Sequence, residues 1–263
     1  MGWKNLSTYF GEQPPEFIKK LFTDCEYPWS LLNNITREIE LSFSALDHQG
    51  KLPPNKKFLK NPDCLGAEGS FHFLQSAILE ENFVDPDLKI SIGLGTLVEA
   101  GSTIKNHTII GNNCEIRQGA YIRGNSFIGP HSVVGHTTEI KDSIFINHVE
   151  AGHFAYIGNS IVGSFVNLGA GVKISNLEFR SLDAKQKERF PELIFSADGQ
   201  TIKTGLSKFG AIIGDGCEIG CNSVLCPLTL LGSKSWILPN TLVLKGFHQQ
   251  GSLLMNLQSP RRL

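Results

Sequence analysis

No run in this 263-residue sequence approaches the ~18 consecutive apolar residues that a membrane-spanning helix requires. Membrane-spanning functions are not expected. The opening residues MGWKNLSTYFGEQPPEFIKK also lack the apolar core of about 7 to 15 residues that marks a secretory signal, and position 6 is not the Ser or Thr of a myristoylation signal. The expectation is a cytoplasmic protein. Charge of one sign is missing as well: 24 Lys and Arg against 25 Asp and Glu leave a formal charge of -1, so no global field gathers nucleic acid or anionic membrane. An anionic ligand must be met by a local site. The six cysteines, at 25, 64, 114, 217, 221 and 226, form no CxxC pair and are too sparse for a disulfide framework. They read as reduced, structural thiols.

What the sequence does contain is a period of six. Ile92, Val98, Ile104, Ile110, Ile116, Ile122, Ile128, Val134, Ile140 and Ile146 are aliphatic without interruption, and Gly93, Gly111, Gly129 and Gly135 directly follow four of them. A period of six fits neither a strand nor an amphipathic helix. It fits three short sides per coil, each side a strand and each corner a turn, stacked as a solenoid. The fold class expected is therefore mainly β, a left-handed parallel β-helix of hexapeptide repeats.

The comb shifts by one residue around Ala151, continues at Ile157, shifts again at Val162 and resumes at Leu168 and Ile174. Such irregularities re-aim side chains, so function is expected beside them. After a gap the comb restarts as Ile213, Ile219, Leu225, Leu231, Ile237 and Val243. Re-entry in register makes the intervening stretch, residues 177–209, an excursion from the coil and not a separate domain. Residues 86–245 are thus assigned to the β-helix and 246–263 to a tail that leaves the repeat. Residues 1–85 carry a different pattern, with helical segments near 15–23 and 27–46, a polar break at 48–62, and a strand or short helix in FHFLQSAILEENF. The helices are expected to form an N-terminal α-helical cap over the open end of the coil.

A solenoid has no concave pocket of its own, and packing three copies side by side would supply equal clefts, so a homotrimer is expected. Polar residues near the irregular coils are the candidates: Arg123, His131, His136, Lys141, His148, His153, Tyr156, Asn167, Asn176 and Lys208. An imidazole such as His153 takes a proton near neutral pH, as acyl transfer to an amine requires, although turn histidines are also simply solvated. Arg123 and Lys141 are eighteen residues apart, hence one coil apart, and would repel unless an anion such as phosphate lay between them. Asn167 and Asn176 offer directional hydrogen bonds or cap turns. The five-residue spacings His131 to His136 and His148 to His153, with His107 upstream, admit a zinc hydrase of the gamma carbonic anhydrase type. The preferred reading needs no metal.

The run IKDSIFINHVEAGHFAYIGNSIVGSFVNLGAGVKISN, residues 140–176, resembles the C-terminal acetyltransferase domain of the bifunctional bacterial enzymes that acetylate glucosamine 1-phosphate and then uridylylate it. AGHxxYxG followed by xNxGAG is more specific than the repeat itself. The resemblance implies an acetyl-CoA-dependent N-acetyltransferase acting on a hexosamine 1-phosphate. It implies that His153 is the general base, and that Arg123 and Lys141 bind phosphate. Tyr156, Asn167, Asn176 and Lys208 would contact the acceptor, and Gly210, Ala211, Cys221 and Pro239 would lie along acetyl-CoA. Cys221 stands where the family has serine. Arg261 and Arg262 would reach a coenzyme phosphate. The family's uridylyltransferase domain is not apparent in residues 1–89, so a separate nucleotidyltransferase partner is conceivable; a non-catalytic sugar-phosphate or coenzyme sensor is the alternative. One departure stands out. The family's CNYDG corner reads SNLEF here, at 175–179, and the excursion that follows is longer.

Overall fold

The structure, a computed structural model, describes residues 2–11, 26–48, 64–67 and 69–256. The helical segment expected near 15–23, the polar break, and Arg261 and Arg262 lie outside the described residues. Three nine-stranded sheets run the length of the molecule, and their strands pair almost entirely in parallel. Successive strands fall on different sheets, so the chain winds as a triangular coil. We name the sheets by what they carry: a cation face with Tyr121–Ile122, Glu139–Lys141 and Tyr156–Gly158, a histidine face with Val133–His136 and Glu150–His153, and a covered face with Ser126–Ile128 and Ser143–Phe145. This is the mainly β, parallel solenoid that the comb predicts.

Inside the coil the comb residues from Ile92 to Ile140 form one continuous core with Leu168, Ile174, Ile213, Leu225 and Val243. Each buried aliphatic side chain contributes roughly 2 kcal/mol by leaving water. Ile146 is the exception to the expected pattern. Phe127 to Ile144 and Ile128 to Phe145 are the paired positions, so Phe145 points inward and Ile146 belongs to an outer cluster. The first short turn therefore falls between Ile140 and Phe145, ahead of Ala151, because the coil there is closed by seventeen residues and not eighteen. The second falls between Ile157 and Val162, at the same corner, where the cation face turns into the covered face.

Helix α1, Ser30–His48, is amphipathic, and Leu31, Ile35, Ile39 and Phe43 recur every four residues as a fully buried stripe. The stripe does not cap the coil end, as the sequence reading had it. It lies along the flank of the covered face against Ile144, Ile146, Ile161 and Ile212, whose outward side chains are as apolar as the inward ones. That second apolar surface needs a cover, and the alternation that made the comb legible says nothing about it. The end of the coil is closed instead by antiparallel strands. Ser70–Phe73, Ala77–Ile78 and Phe83–Asp85 pair with the first strand of each face, which resolves the ambiguous 71–83 stretch as strand.

The excursion leaves the cation face after Ile174 and holds a short helix α2, Leu182–Gln186, capped by the Ser181 side chain, and a hairpin of Ile194–Ala197 with Gln200–Lys203. Leu193 and Phe195 pack with Trp3 and Trp29 over the covered face. The chain re-enters so that Ile161 pairs with Ile212, as if nothing had intervened. At the far end the solenoid runs past the last comb residue, Val243: Gly246–His248 and Leu253–Leu254 each add a strand.

Candidate functional site

The cation face gathers four of the candidate residues. Ile122 pairs with Ile140 and Ile140 with Ile157, which places Arg123, Lys141 and Gly158 in one outward lane on successive coils. A side chain at Gly158 would sit 2.8 Å from both the Tyr156 hydroxyl and the Asn176 amide nitrogen, so both groups lean over this glycine. Asn176 in turn donates to Asn159 Oδ1 at 2.7 Å. Glycine at 158 makes a shelf that the Tyr156 phenol and the Asn176 amide already cover, with the two cations on the preceding coils of the same lane. The short turns at Asp142 and Asn159 hold these residues at φ +47° and +50°, a conformation that Asn and Asp adopt more readily than most.

The two cations are not bare. Arg123 Nη1 donates to Glu139 Oε1 at 2.6 Å, and Lys141 Nζ lies 3.1 Å from Asp142 Oδ2. The hydrogen bond to Glu139 raises the pKa of the Arg123 guanidinium further. Carboxylates thus already relieve the repulsion that an anion between the two cations would relieve, and a phosphate would have to share or displace them.

His153 lies on the next face. It is exposed, pairs in register with His136, and borders a cavity of about 310 Å³ with Glu115, Arg117, Glu150 and Asn167. No hydrogen bond to the His153 ring is formed among the described residues. Glu150, the candidate for orienting it, lines the same cavity. Asn167 donates through Nδ2 to Glu218 at 2.9 Å. Arg117 was not legible as a site residue. Its Nε and Nη2 both donate to Glu115 Oε2, at 3.0 and 2.7 Å, and its Nη1 lies 3.8 Å from where a side chain at Gly152 would begin. Gly135 occupies the position between the two on the intervening coil. Only a reading of lanes across coils would have found Arg117.

The remaining candidates separate. Gly210 and Ala211 are buried at the corner entering the covered face, and their amides already donate to Asn159 O and Ser160 Oγ. Cys221 and Pro239 stack on successive coils at the opposite corner of the cation face, since a side chain at Gly220 would meet Pro239 N at 2.4 Å. Lys208 sits over the Phe190 ring at 5.3 Å, within the excursion, while its neighbour Phe209 donates its amide to Asn176 O. Between the two corners, on the later coils, runs an apolar groove of about 780 Å³ lined by Leu177, Phe179, Val224, Pro227, Leu242 and Leu244, with the Lys245–Glu178 ion pair at 2.7 Å beside it. Leu177 and Phe179 belong to the SNLEF departure, which was the sequence signal for this groove. The histidines proposed for zinc diverge: His131 and His148 stack on each other at one corner, while His136 and His153 lie on the strand lanes. Among the described residues no three metal-binding side chains converge.

Coil, comb and lanes define the class: a hexapeptide-repeat parallel β-solenoid. Residues 104–191 match the family profile described as GMPPB C-terminal domain. The chain is 30% identical over 103 residues to the bifunctional sugar-1-phosphate nucleotidylyltransferase/acetyltransferase of Sulfurisphaera tokodaii, which covers 39% of this chain and 23% of that protein. It is 31% identical over 163 residues to the bifunctional protein GlmU of Staphylococcus haemolyticus, covering 56% of this chain and 34% of that one. Among solved structures, the Francisella novicida UDP-N-acetylglucosamine acyltransferase aligns at 15% identity and a TM-score of 0.24, covering 59% of this chain and 54% of that one. In sequence, the solenoid is similar to the C-terminal acetyltransferase domain of the bifunctional GlmU proteins. The chain spans about a quarter to a third of the length of these curated relatives.

Proposed function

We propose that the protein is a hexapeptide-repeat acyltransferase that moves an acetyl group from acetyl-CoA to the amine of a hexosamine 1-phosphate. The observation that carries this reading is the convergence of Arg123, Lys141, Tyr156 and Asn176 around the Gly158 shelf. Two cations on one lane suit a phosphate, and the phenol and amide suit sugar hydroxyls. His153 stands just across the corner from Tyr156. The acceptor amine attacks the thioester carbonyl carbon, and His153 takes the amine proton as the new C–N bond forms. The C–S bond then breaks, and the departing thiolate takes up a proton. No covalent acyl-enzyme is required. The apolar groove on the cation face, between the corner of Cys221 and Pro239 and that of Gly210 and Ala211, offers the pantetheine arm a course toward the shelf.

The cation and histidine faces of one chain are inclined to each other, so a walled cleft requires a second coil beside the first. We take the working form to be a homotrimer in which the histidine face of one copy packs against the cation face of the next. Exposed apolar side chains on both faces at the same height support this packing: Trp236 and Leu253 on the histidine face, Leu242 and Leu244 on the cation face. The protein would work in the cytoplasm, where a nucleotidyltransferase would consume the acetylated product. Thiol release from acetyl-CoA, measured in parallel with glucosamine 1-phosphate, galactosamine 1-phosphate and no acceptor, tests the reading. Acceptor-dependent release is expected. Equal release in all three reactions would overturn it.

A further inference from the structure

At the corner between the covered and histidine faces, one backbone conformation repeats down the molecule. Asn113, His131, His148, Phe165, Gly216 and Lys234 all have positive φ, between +48° and +65°. From His131 onward, each amide in this series donates to the carbonyl of the residue just before the preceding rung, as Phe165 N does to Asn147 O at 3.1 Å and Gly216 N to Ser164 O at 2.8 Å. The column is a ladder whose rungs are set by the ~4.8 Å strand spacing. Its side chains stack. The rings of His131 and His148 lie 4.7 Å apart at 18°, and those of His148 and Phe165 lie 4.5 Å apart at 19°.

The stack stops at Phe165 because the next rung is glycine. A side chain starting at Gly216 would meet, among the described residues, nothing nearer than the Lys234 stem at 3.8 Å. Phe165 is accordingly 55% exposed. Between the Phe165 and Lys234 rungs lie two rung spacings, ~9.5 Å, which is room for one planar ring. On its histidine-face side the ladder borders a cavity of about 280 Å³ lined by His131, His148, Glu150, Phe165, Asn167 and Glu218. Carboxylate and amide groups of this kind bind vicinal hydroxyls. Lys234, exposed on the rung below, supplies a cation for phosphate.

We propose that the missing rung at Gly216 is a binding slot for a nucleoside phosphate. The base completes the stack on Phe165, the ribose hydroxyls bond to Glu218 and Asn167, and the phosphate meets Lys234. Stacking of a base on an aromatic ring is tolerant of base identity, so the same slot would accept the adenosine of coenzyme A or the nucleoside of a nucleotide-linked sugar. The slot lies apart from the Gly158 shelf but shares Glu150 and Asn167 with the His153 cavity, and its occupancy does not depend on acyl transfer.

The test is calorimetric titration of the full chain with ADP, UDP and coenzyme A in turn, without an acyl group or acceptor. The wild type should bind at least one of them with one site per chain. Gly216→Asn fills the rung with a residue already accommodated at positive φ at Asn113, Asn222 and Asn240, so the fold is kept while the slot is closed. Gly216→Asn and Phe165→Ala should each weaken binding by ~10-fold or more with unchanged circular dichroism. Preference for ADP and coenzyme A would identify the donor's adenosine as the ligand, and preference for UDP a nucleotide-linked sugar. Absence of binding by all three, or wild-type affinity in folded Gly216→Asn, would overturn the proposal.

Discussion

The residues that the proposed reaction needs are those whose loss should separate turnover from binding. His153→Ala should lower turnover by ~100-fold or more with both substrates saturating, because among the described residues no imidazole but that of His136, in the paired strand, lies on its side of the corner. Unchanged turnover would remove His153 from the mechanism. Arg123→Gln should raise KM for the sugar phosphate while leaving kcat nearly intact, since its contact is made equally in ground and transition states. A fall confined to kcat would contradict a role in phosphate binding. His148 makes a prediction about stability. Burial of its ring, followed by the neighbouring charge of His131, holds its pKa below the ordinary histidine value. A histidine depressed in the folded state resists protonation only when folded, so stability is full above the unfolded pKa near 6.5 and falls as pH drops through that value toward the folded pKa. Thermal melts between pH 7.5 and 5 should show a decline that His148→Phe reduces, because a second phenyl ring keeps the stack without a titrating group. His153 was legible because it lies in the AGHFAYIG segment, and Arg123 because eighteen residues, one coil, separate it from Lys141. Arg117 was not: it approaches Gly152 across coils, a relation between lanes and not between neighbours in sequence.

The elements are held by close backbone approach at glycine and by one large apolar flank. Gly135 packs so tightly that an added side chain would lie 1.7 Å from Gly152 O, a backbone atom that cannot rotate away. Gly135→Ala should therefore cost on the order of 3 kcal/mol, read as a lower midpoint in denaturant. Gly152→Ala is the contrast. Its nearest neighbour is Arg117 Nη1 at 3.8 Å, so the fold should tolerate it. Helix α1 is the other support, and Ile39→Ala should cost about 2 to 5 kcal/mol because the ring of residues around it cannot collapse into the gap. The existence of α1 was legible from its apolar content, but its position was not. A six-residue comb reports only the inward side chain of each strand. That Phe127, Ile144, Ile161 and Ile212 make the covered face apolar on both sides is visible once the faces are known, and it is this that draws α1 to the flank. Ile146 was misplaced for a related reason. A turn shortened by one residue preserves an apolar residue at either register when Phe145 and Ile146 stand side by side.

For the whole molecule, the sequence determined the solenoid and the re-entry at Ile213 because a broken comb can resume in phase only if the coil is continuous. It said nothing of the nucleotide slot, which arises from a glycine at a turn position and from the rings above it. Assembly is where the largest scale can be tested. The wild type should sediment as three chains, and Leu244→Glu should shift it toward the single chain by placing a charge on the apolar cation face. Unchanged sedimentation in that variant would move the interface elsewhere. The excursion carries a further consequence. The chain departs after Asn176 and returns at Phe209, whose amide donates to Asn176 O at 3.0 Å, so the two strands of solenoid on either side are already joined by the sheet ladders alone. The covalent link through α2 and the hairpin is redundant for the stack once formed. A protease nick within the exposed α2 segment should leave a native, two-piece protein, and the pieces produced as separate chains should find one another along the same three seams.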